Sequence, residues 1–396
     1  MIRPRGVPEL RSIVRGAGTA TGLLLTLVGL AGCAAPPAAS LGAPAAEPST
    51  SHPAAAASTA ASPTAAPSPP PALGIKLAVT DPTVSLIPNA VMWLAKDLGF
   101  YEREGLDVDL MEMSGTPLAI AALLSGQADV ANIGVPEVIE LVATGKADLR
   151  AVHSPNARQY FLLAGNGDLR TPHDLKGRTF GIARVGSVDH TQSMIVMKSF
   201  GVDPAIDITF IGVGEPQNRA KALVAGNVDA TSFSVATWEA IRQEPNVRVL
   251  LDADAYYRQA PFVSKVNAAP MAIIQSKPEE LTRLTRALMA ASRHLAQSQQ
   301  AWVDGMVARR PELDRDELAE LWSYYGSGWG VNGLMNLDDY RQTARFLAES
   351  GTVPSGVDLP VERWATTRFV DRALADLGIY PGLDDPGRPI AGATRP

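Results

Sequence analysis

The chain has 396 residues and a formal net charge of −6, with 46% hydrophobic and 19% charged residues. This length is sufficient for two domains with a substantial core, and the acidic balance excludes a nucleic-acid-binding protein, which needs a basic surface. The single cysteine, Cys33, excludes an intramolecular disulfide and a zinc-finger ligand set.

The N-terminal segment has the features of an export signal. Basic residues precede an apolar stretch from about Ala17 to Leu30, which is too short to span a bilayer. The next residues, Leu30-Ala31-Gly32-Cys33, resemble the bacterial lipoprotein box, in which the cysteine is acylated and becomes the mature N-terminus. We therefore expect a lipoprotein signal peptide over 1–32 and a lipid on Cys33. The alternative is a cleaved signal with an incidental cysteine.

A linker follows the predicted acylation site. Residues 34–72 consist almost entirely of Ala, Pro, Ser, Thr and Gly, with one acidic residue and no Lys or Arg. Such a composition cannot form a core and is typical of a disordered tether stiffened by proline. We assign 33–73 to the acylated cysteine and this linker.

Strands and helices alternate through most of the remaining chain. This alternation predicts a mostly parallel sheet that is covered on both faces. The predicted strands are 74–80, 107–113, 129–133, 149–153, 160–164, 179–183, 206–211, 247–251 and 268–275, with helices over about 88–104, 117–125, 136–144 and from 189 to about 200. From Pro278 to Leu377 the sequence is mainly helical, and 382–396 is predicted to be a loose tail.

One segment of the sequence occurs twice. Ala122-Leu123-Leu124-Ser125-Gly126 leads to Asp129, and Ala222-Leu223-Val224-Ala225-Gly226 leads to Asp229, with an offset of 100 residues. Each copy predicts a helix with glycine just past its end, followed by a short buried strand. The duplication indicates two lobes of similar construction, in which Asp129 and Asp229 are turn residues.

Several phrases together resemble one family. In chain order they are Leu98-Gly99-Phe100-Tyr101, Glu104-Gly105-Leu106, Leu124-x-Gly126-x-x-Asp129, Asp174-Leu175-Lys176-Gly177-Arg178-Thr179, Gly201-Val202-Asp203-Pro204 and Ala222-Leu223-Val224-x-Gly226-x-x-Asp229. Their order is similar to that of the SsuA-like solute-binding proteins of ABC importers, a group with relatives for nitrate, sulfonates, bicarbonate and thiamine-pyrimidine precursors. The resemblance extends over roughly Gly74 to Gln275 and does not specify the ligand.

The resemblance implies an α/β fold of the type II periplasmic binding protein class. Two α/β lobes would be joined by two hinge crossings, with a ligand cleft between them; lobe 1 would comprise 74–156 plus 262–381, and lobe 2 would comprise 157–261. The expected partners are a small-molecule ligand and the membrane permease subunits of an ABC transporter. The protein would be an extracytoplasmic monomer attached to the membrane by its lipid, without a cofactor, a metal or nucleic acid.

Candidate ligand-binding residues follow from the position of the predicted strand ends. Ligands of open α/β sheets bind outside the carboxyl ends of the strands, where helix N-termini present free backbone N–H groups. The alternative role for each Ser, Thr or Asp is a helix cap, and for Trp238 core packing. The candidates are Asp81, Thr83, Asn89, Gly115, Thr116, Gly134 and Val135 in the first lobe, and Gly186, Ser187, Asp189, His190, Glu215, Ser234 and Trp238 in the second.

The charge of the ligand is left open by these residues. Nearby cations such as Arg184 and Arg219 favour an anion, whereas Asp81, Asp189 and Glu215 favour an amine or a heterocycle with N–H donors.

Two other functions compete with transport. Some relatives of the fold synthesise the thiamine pyrimidine with a histidine and a cysteine-rich motif, but this chain has no cysteine cluster. It also contains no HExxH, GxSxG or GxxxxGK[ST] motif. The other alternative is a lipid-tethered sensor that passes its ligand to a signalling protein.

Overall fold

The computed structural model describes residues 72–80, 84–156, 160–263, 265–326, 328–349, 351, 353 and 359–381. The predicted signal peptide, Cys33, nearly all of the linker, and the tail at 382–396 lie outside these ranges. None of the helices in the described part is both long enough and apolar enough to cross a membrane.

The strands in these ranges form two sheets. They are β1 (Leu73–Val79), β2 (Leu106–Glu112), β3 (Val130–Gly134), β4 (Leu149–His153), β5 (Phe161–Asn166), β6 (Arg178–Ile182), β7 (Ile208–Gly212), β8 (Ala230–Ser234), β9 (Val247–Leu251) and β10 (Lys265–Pro270). The strand order is β2-β1-β3-β10-β4 in the first sheet and β7-β6-β8-β5-β9 in the second.

The two sheets have the same internal arrangement. In the first, β1 is parallel to β2 and β3, and β10 is antiparallel to β3 and β4. In the second, β6 is parallel to β7 and β8, and β5 is antiparallel to β8 and β9. The prediction of two similarly built, mostly parallel α/β lobes is therefore confirmed.

Helices cover the faces of both sheets. They are α1 (Val91–Asp97), α2 (Phe100–Arg103), α3 (Thr116–Leu124), α4 (Val135–Ala143), α5 (Val188–Ser199), α6 (Pro216–Val224), α7 (Val235–Glu239), α8 (Ala253–Gln259), α9 (Met271–Ser276), α10 (Pro278–Gln297), α11 (Gln299–Arg309), α12 (Arg315–Tyr325), α13 (Leu337–Glu349) and α14 (Arg368–Leu377). The C-terminal helices pack on the first lobe, since α10 contacts α1 and α2, and α14 contacts β4.

The duplicated segment folds in the same way in both lobes. Helices α3 and α6 are each followed by a left-handed glycine, Gly126 with φ +73° and Gly226 with φ +72°. Asp129 then accepts a hydrogen bond from the backbone N–H of Lys76 in β1, and Asp229 accepts one from the backbone N–H of Thr179 in β6, each at 2.9 Å. Both aspartates are thus turn residues, as predicted, and the structure adds that each bonds its turn to the neighbouring strand.

Two elements differ from the sequence prediction. The predicted strand over 268–275 is wrong, because the strand covers Lys265–Pro270 and a helix occupies Met271–Ser276. Pro270 has no N–H for the strand ladder but is compatible with a helix start, so it separates the two elements. The single helix predicted over 88–104 is divided at Gly99, whose φ of +72° is left-handed.

Two segments of chain connect the lobes. The first follows β4 and leads into β5, and the second leads from α8 into β10. Ser154 Oγ is within hydrogen-bond distance of the carbonyl oxygens of Asn156 and Lys265, 3.0 Å from each, so it links the two crossings. The residue limits predicted for the two domains stay a prediction.

Candidate functional site

A cavity of about 120 Å³ lies between the carboxyl ends of the parallel strands of the two sheets. Its first-lobe wall includes Thr80, Ser114, Gly115, Thr116 and Lys265. Its second-lobe wall includes Phe161, Ser187, Asp189, Glu215, Arg219 and Ser234, and Arg310 adds a group from beyond α11. The cavity is below the ~300–1,000 Å³ typical of sites for drug-sized ligands, so it suits a smaller solute.

Three helices of nine or more residues begin at this cavity, namely α3, α5 and α6. Gly115 precedes α3 with φ +95°, a conformation that strains other residues, and prolines occupy the first turns of α3 and α6. The first N–H groups of a helix have no partner within the helix and carry a partial positive charge. The local sequence therefore directs several backbone donors toward the cavity.

The first-lobe wall contains three buried polar side chains, those of Thr80, Thr116 and Lys265. Thr116 is 1% exposed, and its Oγ1 is buried without a hydrogen-bond partner among the described residues. Lys265 is also buried, and its ammonium donates to Thr80 Oγ1 at 2.7 Å. A buried hydroxyl normally has a partner, so Thr116 has an unused donor and acceptor at the cavity wall.

Two opposite charges in the second-lobe wall, Asp189 and Arg219, compensate each other. Asp189 accepts a hydrogen bond from Ala183 N at 2.8 Å and lies 3.7 Å from Arg219 Nη1. Arg219 also donates to the carbonyl oxygens of Ser232 and Gly214. These contacts make Arg219 a structural residue that neutralises Asp189, and they reduce the repulsion that Asp189 would exert on an anion.

Polar contacts between the lobes include two beside the cavity. Arg184 of the second lobe donates to Ser114 Oγ of the first at 2.5 Å, and its side chain lies over Gly115. Thr191 Oγ1 in α5 donates to Glu137 Oε1 in α4 at 3.2 Å. Each contact joins a residue of the first lobe to a residue of the second. Separating the lobes would therefore break both contacts.

The structure brings six of the predicted site residues to the cavity wall. These are Gly115, Thr116, Ser187, Asp189, Glu215 and Ser234. Ser187 Oγ donates to the carbonyl of Arg184, and Ser234 Oγ caps α7 by accepting from Thr237 N. Ser234 therefore both caps α7 and lines the cavity.

Four predicted residues lie beside the cavity, at the contact between α4 and α5. Gly186 and His190 line a neighbouring hollow of about 280 Å³, where Gly186 N donates to His190 Nδ1 at 3.2 Å. Burial lowers the pKa of His190, although Asp189 acts in the opposite direction. Gly134 immediately precedes α4 and Val135 is its first residue, and both are buried.

The remaining four predicted residues are placed elsewhere or not described. Asn89 belongs to a buried network, in which it donates to Asn132 Oδ1 and accepts from Asn156 Nδ2, each at 3.3 Å. Trp238 is half-buried and packs on the hydrophobic cluster of the second lobe. Asp81 and Thr83 lie outside the described residues.

The buried network also contains a histidine. Asn132 donates to Asn267 Oδ1, and Asn267 Nδ2 lies 3.2 Å from His153 Nδ1. Burial lowers the pKa of His153 to about 3. In the ranges that the structure covers, no group of three or more His, Cys, Asp and Glu could hold a metal ion.

Lys265 and Arg310 line the cavity but were missed by the sequence analysis. Lys265 is the one charged residue of β10. A lysine in an otherwise uncharged strand could have indicated a functional position. Arg310 lies between two C-terminal helices, and no local pattern connects it to the cleft.

Comparison with known proteins shows which family this chain matches. The model of the family described as "NMT1/THI5 like" matches residues 89–301. The provisionally named binding protein YtlA of Bacillus subtilis (strain 168) is 30% identical over 154 residues, which is 38% of this chain. The match spans 46%, about half, of that relative's length. The 4-amino-5-hydroxymethyl-2-methylpyrimidine phosphate synthase of Schizosaccharomyces pombe is 22% identical, over 66% of this chain and 78% of the synthase.

Solved structures share the fold. The nitrate-binding protein NrtA of Synechocystis PCC 6803 has a TM-score of 0.62 at 13% identity, covering 81% of this chain and 97% of that one. The alkanesulfonate-binding protein SsuA of Xanthomonas axonopodis pv. citri, solved with MOPS, has a TM-score of 0.59 at 18% identity, covering 74% and 98%. At these identities the likeness concerns the fold, which is that of the periplasmic binding proteins.

Proposed function

The chain belongs to the NMT1/THI5-like family, and from that premise we propose that it is the solute-binding protein of an ABC importer. The observation that carries this proposal is the cavity between the carboxyl ends of the two sheets, with the buried, unpartnered Oγ1 of Thr116 in its wall. A cavity between two lobes with a few polar groups in its wall matches the task of capturing a small solute. The names of YtlA, SsuA and NrtA as binding proteins support the same function.

The ligand that fits this wall best is a small oxyanion, such as a sulfonate, a nitrate-like ion or a carboxylate. Lys265 supplies a buried positive charge, and the N-termini of α3, α5 and α6 supply N–H donors. Because Arg219 neutralises Asp189, that carboxylate does not oppose an anion strongly. A pyrimidine-type ligand stays an alternative, which Glu215 would favour.

The proposed mechanism is hinge closure of the two lobes over the ligand. Ligand contacts made only when both walls meet would drive closure, because a ligand shifts an equilibrium only by its differential affinity. We propose that the closed protein, as a monomer, docks on the membrane permease subunits. It would act outside the cytoplasm, attached by a lipid on Cys33, with lobe limits at 74–156 plus 262–381 and at 157–261.

An enzymatic alternative has one specific observation behind it, the Schizosaccharomyces pombe synthase. Against it, Cys33 is the single cysteine of the sequence, so the chain has no cysteine-rich motif. The buried His153 is held in the amide network, and His190 is bonded to a backbone N–H. We therefore propose a binding protein without catalytic activity. A lipid-tethered sensor on the same fold would bind a ligand in the same cavity and differ only in its partner.

A thermal-shift screen of the full chain tests this proposal. We expect a sulfonate, nitrate or carboxylate to raise the unfolding temperature, because a ligand that binds the native state stabilises it by RT ln(1 + [L]/Kd). Thr116→Val should weaken binding of the same solute about tenfold, since one buried hydrogen bond is worth roughly 1–1.5 kcal/mol. Lys265→Met should remove the shift for anions and leave any shift caused by a neutral pyrimidine.

Lys76→Met is the matched control, because Lys76 is an exposed strand residue outside the cavity. Unchanged affinity in both Thr116→Val and Lys265→Met would contradict the assignment of the cavity. Conversion of a pyrimidine precursor by the purified chain would favour the synthase alternative instead.

A further inference from the structure

The first turn of α4 places a carboxyl group at the contact between the lobes. Glu137 bends back over Gly134, so that a Cβ added at Gly134 would lie 1.9 Å from Glu137 Oε2. The same Cβ would lie 3.3 Å from a methyl group of Val188 in α5. Gly134 has an ordinary φ of −68°, so its lack of a side chain provides space for the carboxyl and is not needed for backbone geometry.

The two carboxyl oxygens have different surroundings. Oε1 accepts the hydrogen bond from Thr191 Oγ1 across the cleft at 3.2 Å. Oε2 is buried and has no partner within the described ranges, although the residue as a whole is half-buried. A buried carboxylate oxygen without a donor is costly, and protonation removes the charge that causes this cost.

The charged groups around Glu137 do not compensate this burial fully. Glu140 lies on the same helix, Lys265 is in β10, and His190 and Lys198 of α5 line the adjoining hollow. Burial raises the pKa of Glu137 to about 7, with a smaller contribution from Glu140. The hydrogen bonds of the carboxyl with its own backbone and with Thr191, and the charge of Lys265, act in the opposite direction.

We propose that Glu137 is a proton-dependent latch between the lobes, protonated when the cleft is closed and ionised when it is open. This inference rests on the proposed function only in assuming that the lobes separate at the hinge. Separation would break the contact with Thr191 and expose the carboxyl to water. Ionisation of Glu137 would then favour the open form, while protonation would favour the closed form.

The direction of the pH dependence follows from the two states. An exposed glutamate has a pKa near 4.5, and the closed form has a pKa of about 7. Between pH 4.5 and 7, closure therefore takes up a proton. In this window the equilibrium constant for closing falls about tenfold for each pH unit. Below this window the Glu137 carboxyl is neutral in both the open and the closed form, and above it the carboxyl is ionised in both. The closed form is therefore lost as pH rises toward 7.

Small-angle X-ray scattering of the full chain without any added solute tests the latch. The radius of gyration should increase as pH rises from 5 to 8, and Glu137→Gln should stay compact over this range. Glu140→Gln is the matched control, because it removes the exposed neighbouring carboxyl of the same helix and should keep the transition. Thr191→Val removes a hydrogen bond that exists only in the closed form and should therefore move the midpoint to lower pH.

A radius independent of pH in the unaltered chain would overturn the latch, as would an unchanged transition in Glu137→Gln. Because no solute is present, this outcome is separate from a failure of the binding proposal. If Glu137→Gln does not fold, the displaced midpoint of Thr191→Val decides the question, and an unmoved midpoint rejects the proposal.

Discussion

Asp129 and Asp229, at equivalent positions of the duplicated segment, make equivalent hydrogen bonds in the two lobes. Asp129 bonds the backbone N–H of Lys76 and the ammonium of Lys277, and Asp229 bonds the backbone N–H and the hydroxyl of Thr179. An acidic side chain that is repeated in both halves could suggest a ligand site. The hydrogen bonds show instead that both aspartates fix turns to strands.

This role gives a stability prediction. Asp129→Asn should lower the free energy of unfolding by roughly 1–2 kcal/mol, because the amide is a weaker acceptor for Lys76 N and Lys277 Nζ. Urea unfolding of the full chain measures the change. Asp107→Asn, on an exposed position of β2, is the control and should have little effect. A loss of solute binding without a loss of stability would show that Asp129 belongs to the site.

At the scale of secondary structure, sequence patterns predicted most elements but not their partners. Periodicity and glycine positions located α3, α6 and the strands that follow them, since these signals are local. They could not show that β10 is antiparallel to β3 and β4, because strand pairing depends on distant residues. Lys265 was missed because the predicted strand began three residues too late to include it.

The ends of the repeated helices provide a test at this scale. Gly126→Ala and Gly226→Ala should each lower the free energy of unfolding by about 1 kcal/mol, because alanine is strained at positive φ. No atom lies within 4 Å of an added Cβ at either position, so a clash is not the cause. Asn tolerates this conformation better, and Gly126→Asn should therefore lose less. Equal losses for Ala and Asn in denaturant titrations would contradict this explanation.

For the whole molecule, the central feature is the contact of two lobes over a small cavity with polar groups in its wall. The family resemblance implied two lobes with a cleft between them, and the predicted strand ends pointed to six residues of the cavity wall. It could not distinguish residues in the wall from those beside it, because Gly186 and Ser187 are adjacent in sequence but face different hollows. Glu137 was not predicted either, since its position depends on how the lobes meet.

The bond between Arg184 and Ser114 gives a prediction about release of the solute. Arg184→Ala should increase the dissociation rate several-fold and change the association rate less, because it removes a contact present only when the lobes meet. Stopped-flow tryptophan fluorescence, with the solute that gives the largest thermal shift, measures both rates. Arg258→Ala changes an exposed arginine of α8 and serves as the control. An unaltered dissociation rate would mean that Arg184 does not restrain opening.

The position of β10 has a consequence for biosynthesis. The strands of the second sheet, β5 to β9, are consecutive in the chain, whereas the first sheet needs β10, which is translated after all of them. The half of the protein that begins first must therefore wait for β10, its antiparallel strand, until the other half has been made. We expect the nascent chain to assemble its second lobe earlier than its first, the reverse of the usual vectorial order.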